Sequence, residues 1–156
     1  MALAIIIPTK NRCQFLIRQL MYYSAIGCNH TIIIGDLSDG HDSELIYSAV
    51  SQLEGQTDVK YFELPGLTES EAIREISQQV EQSYVVLASD GDFLVPETLR
   101  DCTEFLDSNP DFSTAQGVSL SFGVGLDQSS GEFLRTGPVF QGPVEDVNGR
   151  LRLIKF

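Results

Sequence analysis

Two carboxylates one residue apart, Asp90 and Asp92, follow the apolar segment 84–88 and are separated by Gly91. Oxygen ligands of this kind suit a hard cation such as Mg²⁺ or Mn²⁺, which typically takes one or two protein carboxylates together with phosphate oxygens. Asp-Gly is also a common turn dipeptide, so the triplet alone is equally compatible with a solvated turn. Its position directly after an apolar run favours a metal site for a phosphate-containing ligand.

Polar or flexible residues also follow the three earlier apolar segments. Residues 9–12 (Thr-Lys-Asn-Arg) come after the first, Asp36 with Ser38 and Asp39 after the second, and Gly66 after the third. In open α/β sheets, ligands bind outside the carboxyl ends of the strands. We therefore expect these four corners to surround one ligand.

The elements that must position these corners alternate along residues 1–112. Apolar runs predict strands at 2–7, 31–34, 59–64 and 84–88, and helical stripes predict helices at 15–26, 45–53, 68–80 and 96–109. Thr68 and Glu71 have the spacing of a capping box, and Pro96 suits the first turn of a helix. This alternation predicts an α/β fold in which helices cover both faces of a mostly parallel sheet.

The pattern changes in residues 113–156, which contain most of the late glycines and no strong helical stripe. Short candidate strands lie at 115–124, 132–135 and 150–155. We predict a β-rich extension of the same domain, with hairpin strands added to one edge of the sheet.

The composition excludes several functions. A net charge of −12 with only 10 basic residues argues against a nucleic-acid partner, and an acidic protein needs a metal ion to bind an anionic substrate. The odd set of cysteines, Cys13, Cys28 and Cys102, indicates reduced thiols, and no apolar run is long enough for a transmembrane helix. We therefore expect a cytoplasmic protein, with attachment to the periphery of a membrane through missing parts or partners as the alternative. Dinucleotide, P-loop and hydrolase-elbow motifs are absent from the sequence, and the isolated His30 and His41 are expected at the surface.

Three segments together resemble family 2 of the inverting glycosyltransferases with the GT-A fold. They are residues 5–12 (Ile-Ile-Ile-Pro-Thr-Lys-Asn-Arg), the corner at Asp36, and residues 89–96 (Ser-Asp-Gly-Asp-Phe-Leu-Val-Pro), and the likeness extends over residues 3–117. The resemblance implies a GT-A-like, Rossmann-related sheet. It also implies transfer of a sugar from a nucleoside-diphosphate sugar, most often a UDP-sugar, to a hydroxyl of a glycan, lipid or protein, with the aid of Mn²⁺ or Mg²⁺.

The same resemblance implies roles for individual residues. The nucleotide pocket would be lined by Pro8, Thr9, Asn11, Arg12, Asp36, Gly66 and Asp90. Asp36 would face the base, Asp90 the ribose or the metal, and Asp92 the metal, so that metal ligation rests on Asp90, on Asp92 or on both. Arg12 would contact phosphate, and Arg74 would either reach the same site or form a surface ion pair.

No catalytic residue can be assigned from the sequence. The family's general base is an Asp or Glu of the acceptor-binding half, and the late acids lie in no recognisable base motif: Asp127, Glu132, Glu145 and Asp146. We therefore expect the acceptor-binding half to be missing or truncated. A homodimer would cover the apolar surface of four phenylalanines in residues 113–156: Phe122, Phe133, Phe140 and Phe156.

Two other functions fit parts of the pattern. A nucleotidyltransferase would share the sheet and the metal chemistry, but it would usually carry a glycine-rich basic loop after the first strand, and residues 9–12 contain no glycine. A non-catalytic binding or assembly module would use Asp90 and Asp92 only as turn residues.

Overall fold

Four parallel strands form the sheet that carries the site, in the order β3-β2-β1-β4. In the computed structural model, which describes residues 3–124 and 133–138, these strands are β1 (Leu3–Thr9), β2 (Thr31–Asp36), β3 (Val59–Glu63) and β4 (Tyr84–Leu87). The helices that alternate with them are α1 (Cys13–Ala25), α2 (His41–Gln52), α3 (Glu69–Ser77) and α4 (Pro96–Ser108). The predicted α/β fold with a parallel sheet is confirmed.

Strand β1 is the centre of this sheet. It pairs with β2 along one edge, ending at Thr9 opposite Asp36, and with β4 along the other edge, where Ile6 lies opposite Leu87. From β1 the chain continues to β2 and β3 on one side and returns to β4 on the other. The carboxyl ends of β1 and β4 therefore flank a topological switch point, where sheets of this kind bind ligands.

Successive residues of β1 point to opposite faces, and each face has its own apolar cluster. Leu3, Ile5 and Ile7 belong to a cluster with Leu16 and Leu20 of α1. The cluster on the other face is completed by α3 and contains Ala4, Ile6, Ile33 and Ile76. Helices therefore cover both faces, as predicted, and burial of each large aliphatic side chain contributes about 1.5–3 kcal/mol.

Helix α3 lies very close to β2 at Gly35. A Cβ atom added at Gly35 would lie 3.0 Å from Cγ2 of Ile76 and 3.4 Å from Cδ1 of Leu64. The predicted capping box begins this helix: Thr68 Oγ1 accepts from the Glu71 amide at 3.3 Å, and the Thr68 amide donates to Glu71 Oε2 at 2.9 Å. The Thr68 hydroxyl also donates to Glu71 Oε2 at 2.7 Å, and the bonds that this carboxylate accepts from the Thr68 amide and hydroxyl lower the pKa of Glu71. The absence of a side chain at Gly35 thus allows the last turn of α3, which carries Ile76, to pack closely against β2.

The two remaining described strands belong to the second of two compact units, Met1–Ala115 and Gln116–Phe156. Strands β5 (Leu120–Val124) and β6 (Phe133–Pro138) pair antiparallel in a sheet of their own, which differs from the prediction that hairpin strands extend the main sheet. The candidate strand at 150–155, together with Phe140 and Phe156, lies outside the described residues.

The prediction that His30 lies at the surface is wrong. Its side chain is buried because it precedes β2 and packs under the start of α4, with Nε2 3.4 Å from the Pro96 carbonyl oxygen. His41 is exposed at the start of α2, as predicted.

All three cysteines are free thiols, and Cys13 and Cys28 are buried. Of the helices described, none combines the length and apolar character needed to cross a bilayer.

We predict that Gly35→Ala lowers the free energy of unfolding by about 1–3 kcal/mol, because the new methyl group overpacks the contact with Ile76. Urea unfolding followed by circular dichroism measures the change. Gly91→Ala is the matched control, because a Cβ there meets only the end of a flexible arginine at 3.4 Å. An unchanged midpoint for Gly35→Ala would show that α3 does not pack this tightly.

Candidate functional site

A cleft of about 410 Å³ opens at the switch point between β1 and β4, and we call it the central cleft. Residues from the corners after all four strands of the main sheet contribute to its lining: Pro8, Thr9, Lys10, Arg12, Leu37, Leu67, Thr68, Glu69, Leu87, Ala88, Ser89 and Asp90. A larger cavity of about 580 Å³ lies at the amino end of β3, between residues 50 and 59. The central cleft is the candidate site because the carboxyl ends of the strands converge there.

Three side chains join the corners after β1 and β4. Thr9 Oγ1 donates to Asp90 Oδ2 at 2.9 Å, and Arg12 Nε lies 3.0 Å from Asp90 Oδ1. The Asp90 side chain is only 6% exposed, whereas that of Arg12 is 50% exposed. Burial of a carboxylate is unfavourable unless the group is paired and hydrogen-bonded, and Asp90 has both an ion pair and a hydrogen bond.

Asn11 connects the corner after β1 to the corner after β2. Its φ of 52° lies in the left-handed region, which asparagine tolerates better than most residues. The Asn11 amide donates to Ser38 Oγ at 2.8 Å, and Asn11 Oδ1 accepts from the Asp39 amide at 3.2 Å. Asn11 is not among the residues that line the central cleft, so its contribution in this structure is to the shape of the corner.

Asp36 lies beneath the corner after β2, with 1% of its surface exposed. Its Oδ1 accepts from the Ser38 amide at 2.8 Å and its Oδ2 accepts from the Tyr61 hydroxyl at 2.7 Å. Burial, partly offset by the contact with the Ser43 hydroxyl, raises the pKa of Tyr61, so that the phenol remains a donor. Asp36 lines neither the central cleft nor the outer cleft of about 330 Å³ beside it, whose lining includes Ser38, Asp39, Tyr47 and Glu63.

Two residues of α1 that were not predicted as part of the site, Gln19 and Tyr23, hold the loop containing Asp92. Gln19 Nε2 donates to the backbone oxygens of Ser89, at 3.0 Å, and of Asp92. The Tyr23 hydroxyl accepts from the Leu94 amide at 3.3 Å, and burial raises the pKa of Tyr23 to about 12. Gln19 and Tyr23 are fully buried, so the helix fixes the loop from inside the protein.

The remaining candidates lie at the edge of the site or away from it. Gly66, with φ of 81°, forms the turn after β3 that leads into Leu67 and Thr68 of the cleft lining. Arg74 forms an exposed ion pair with Glu75 at 3.1 Å, in agreement with the surface alternative. Four acids considered as bases lie outside the described residues: Asp127, Glu132, Glu145 and Asp146.

The two acids of the triplet differ in their capacity to bind a cation. Both oxygens of Asp90 already have protein partners, Thr9 and Arg12. Asp92 is exposed, and its carboxylate has no hydrogen bond or ion pair with any described residue. Residues 3–124 contain no group of three or more His, Cys, Asp or Glu side chains that could hold a metal by themselves. The carboxylate oxygens of Asp90 and Asp92 therefore fit a hard cation that takes most of its ligands from a bound phosphate.

Neither a family model nor a curated protein sequence matches the chain, but solved structures of glycosyltransferases share its fold. The chain has a GT-A-like α/β fold, as the sequence resemblance predicted. TarS 1-349 from S. aureus matches with a TM-score of 0.58 at 19% identity, over 77% of this chain and 34% of that one. TarS 1-349 in complex with UDP gives a TM-score of 0.55 at 19% identity, over 77% and 34% of the two chains.

A third solved structure is the mannosyltransferase PcManGT from Pyrobaculum calidifontis, in complex with GDP-Man and Mn²⁺. It matches with a TM-score of 0.56 at 12% identity, over 67% of this chain and 32% of that one. The chain therefore spans about a third of the length of TarS 1-349 and of the mannosyltransferase.

We predict that Gln19→Met, which preserves the size of the side chain, lowers the free energy of unfolding by about 1–3 kcal/mol, because two backbone oxygens lose their donor. Proteolytic cleavage within residues 89–95 should also become faster. Urea unfolding and limited proteolysis measure the two effects. Gln14→Met, at an exposed position of α1, is the matched control. Equal behaviour of the two variants would contradict the supporting role of Gln19.

We predict that Tyr61→Phe lowers the free energy of unfolding at neutral pH by about 1–3 kcal/mol, because buried Asp36 loses a donor. Tyr47→Phe is the control, since Tyr47 is 59% exposed. The folded protein raises the pKa of Tyr61, so this contribution to stability is present at neutral pH and is lost as pH rises above the ordinary value of 10.0. Denaturant midpoints at pH 7 and above pH 10 test this; the difference between Tyr61→Phe and wild type should shrink at alkaline pH.

Proposed function

We propose that this chain is the nucleotide-sugar-binding part of a glycosyltransferase, which transfers a sugar from a nucleoside-diphosphate sugar to an acceptor hydroxyl. The observation that carries the proposal is the junction of Thr9, Arg12 and Asp90, which joins two corners at the switch point of the sheet. The similar solved structures support it, since TarS was solved with UDP and PcManGT with GDP-Man and Mn²⁺.

Positive charge for the diphosphate comes from Lys10 and Arg12, both of which line the central cleft in a chain of net charge −12. The planar guanidinium of Arg12 matches two phosphate oxygens at once, and the flexible ammonium of Lys10 adds a point charge. Pro8 and Thr9 form the adjacent wall. In this proposal the diphosphate lies across the corner after β1.

The base is proposed to lie beyond β2 and β3, on the side of the outer cleft. Asp36 supports this region from below, because it holds the Ser38 amide and the Tyr61 hydroxyl. Asn11 and Gly66 shape the two corners that border it. Uridine is the first base to test because of the family resemblance, and guanosine is the second because PcManGT was solved with GDP-Man.

Mn²⁺ or Mg²⁺ would be held by the triplet 90–92, with exposed Asp92 as the acid whose charge is not already paired. When bound, the cation offsets the negative charge that develops on the departing diphosphate. Gln19 and Tyr23 keep the Asp92 loop in place beside the cleft.

In the proposed inverting reaction, the acceptor oxygen forms a bond to the anomeric carbon on the face opposite the diphosphate. The bond from that carbon to the phosphate oxygen breaks, and the hydroxyl proton passes to a general base. We assign no base among the described residues. Because the chain spans about a third of its structural neighbours, we propose that acceptor binding and the base come from outside the described part.

Isothermal titration calorimetry with UDP, GDP and UTP, each with and without Mn²⁺, tests the proposal. Binding of a nucleoside diphosphate in preference to the triphosphate would support a glycosyltransferase donor site. Preference for UTP would favour the nucleotidyltransferase alternative. No binding of any nucleotide would leave only the non-catalytic module and would overturn the proposal.

We predict that Asp92→Asn removes most of the gain in nucleotide affinity that Mn²⁺ provides, a loss of about tenfold if one charged contact is worth about 1.5 kcal/mol. Metal-free affinity should stay the same, because the Asp92 carboxylate makes no hydrogen bond or ion pair with the described residues of the cleft. Asp101→Asn, which neutralises an exposed acid of α4, is the control. A full Mn²⁺ effect in Asp92→Asn would exclude Asp92 as the cation ligand.

A further inference from the structure

The guanidinium group of Arg12 is fixed on three sides. Its Nε lies 3.0 Å from Asp90 Oδ1, and its Cζ lies 4.4 Å from the centroid of the Phe15 ring, within the range of a cation–π contact. Its Nη2 lies against Gly91, 3.4 Å from where a Cβ would stand. Asp90 uses the Nε side of the group, so the two Nη nitrogens remain for a ligand in the central cleft.

Asp90 is as firmly held as Arg12. Its second carboxylate oxygen accepts from Thr9 at 2.9 Å, and the side chain is 6% exposed. A cation that took over Asp90 would have to break its ion pair with Arg12 and compete with the hydrogen bond from Thr9. Asp92 can accept a cation without breaking any contact with a described residue.

We propose that Asp90 is a positioning residue: it holds Arg12 in the orientation that binds the donor's diphosphate, and the divalent cation is ligated without it. This inference rests on the proposed function and refines it, because it divides the two acids of the triplet between two tasks. One part of the diphosphate affinity then depends on Arg12 and needs no metal. The other part depends on Asp92 and the cation.

A double-mutant cycle of Asp90 and Arg12 tests whether the two acids have these separate roles. The dissociation constants of UDP and of GDP are measured in EDTA, so that no metal is present. Arg12→Gln should weaken metal-free binding about tenfold or more, the value of a charge-assisted hydrogen bond. Asp90→Asn should weaken it less, by about threefold to tenfold, because it loosens Arg12 without removing it. The double variant should bind as Arg12→Gln does, since Asp90 acts through Arg12.

The control for Arg12→Gln is Arg18→Gln. Arg18 lies over the same Phe15 ring, at 5.5 Å, but does not line the central cleft. Phe15→Leu, which removes the ring and leaves Asp90 in place, should weaken metal-free binding about twofold to fivefold, as expected for loss of an exposed cation–π contact. If Asp90→Asn does not fold by circular dichroism, Asp90→Glu takes its place in the cycle, because the longer side chain keeps the charge but moves the carboxylate relative to Arg12 Nε.

Addition of Mn²⁺ provides the second measurement. The fold gain in affinity should be retained in Asp90→Asn and lost in Asp92→Asn. Three results would overturn the inference: loss of the gain in Asp90→Asn, multiplication of the two single effects in the double variant, or wild-type binding that occurs only with Mn²⁺. Failure of the wild-type chain to bind UDP or GDP under either condition would instead overturn the proposed function itself.

Discussion

Strand β1 is hydrogen-bonded to β2 along one edge and to β4 along the other, and every one of its residues, Leu3–Thr9, is buried. Both pairings are parallel, so three strands deliver their carboxyl ends to the same side of the sheet. Residues 9–12, 36–39 and 87–92 are distant in sequence but meet there as a result. Moving β1 by one residue would exchange the side chains on its two buried faces and separate Thr9 from Asp90.

The distribution of charge follows from this convergence. An acidic chain places Lys10 and Arg12 at the central cleft, and it keeps a carboxylate of that cleft, Asp90, buried and paired. The low exposure of Asp90 strengthens its electrostatic interaction with Arg12, since water does not screen it on that side. The cleft can thus attract an anion even though the protein as a whole is strongly negative.

The sequence was most informative where a local pattern determines the structure. Apolar runs located the four main strands, and the spacing of Thr68 and Glu71 located the start of α3. The burial of His30 was missed because it depends on Pro96, 66 residues away. The hydrogen bond between Asp36 and Tyr61, 25 residues apart, likewise cannot be read from local spacing. Periodicity reports which face a residue occupies, and it carries no information about partners on distant segments.

Gln19 is an intermediate case. It occupies the buried stripe of α1 between Leu16 and Tyr23, and a polar residue inside such a stripe indicates a buried hydrogen bond. That signal was available in the sequence, but it did not identify the acceptors. The backbone oxygens of Ser89 and Asp92 are 70 and 73 residues away, and only the packing of α1 against the loop after β4 brings them within reach.

The bond between the Leu94 amide and the Tyr23 hydroxyl has a consequence for the dynamics of the protein. The amide proton of Leu94 can exchange with solvent deuterium only when the loop separates from α1. Because Arg12 caps the amino end of the same helix, displacement of α1 would disturb the cleft and the loop together. The hydrogen-exchange rate of the Leu94 amide therefore reports how often the loop after β4 separates from α1 beside the cleft.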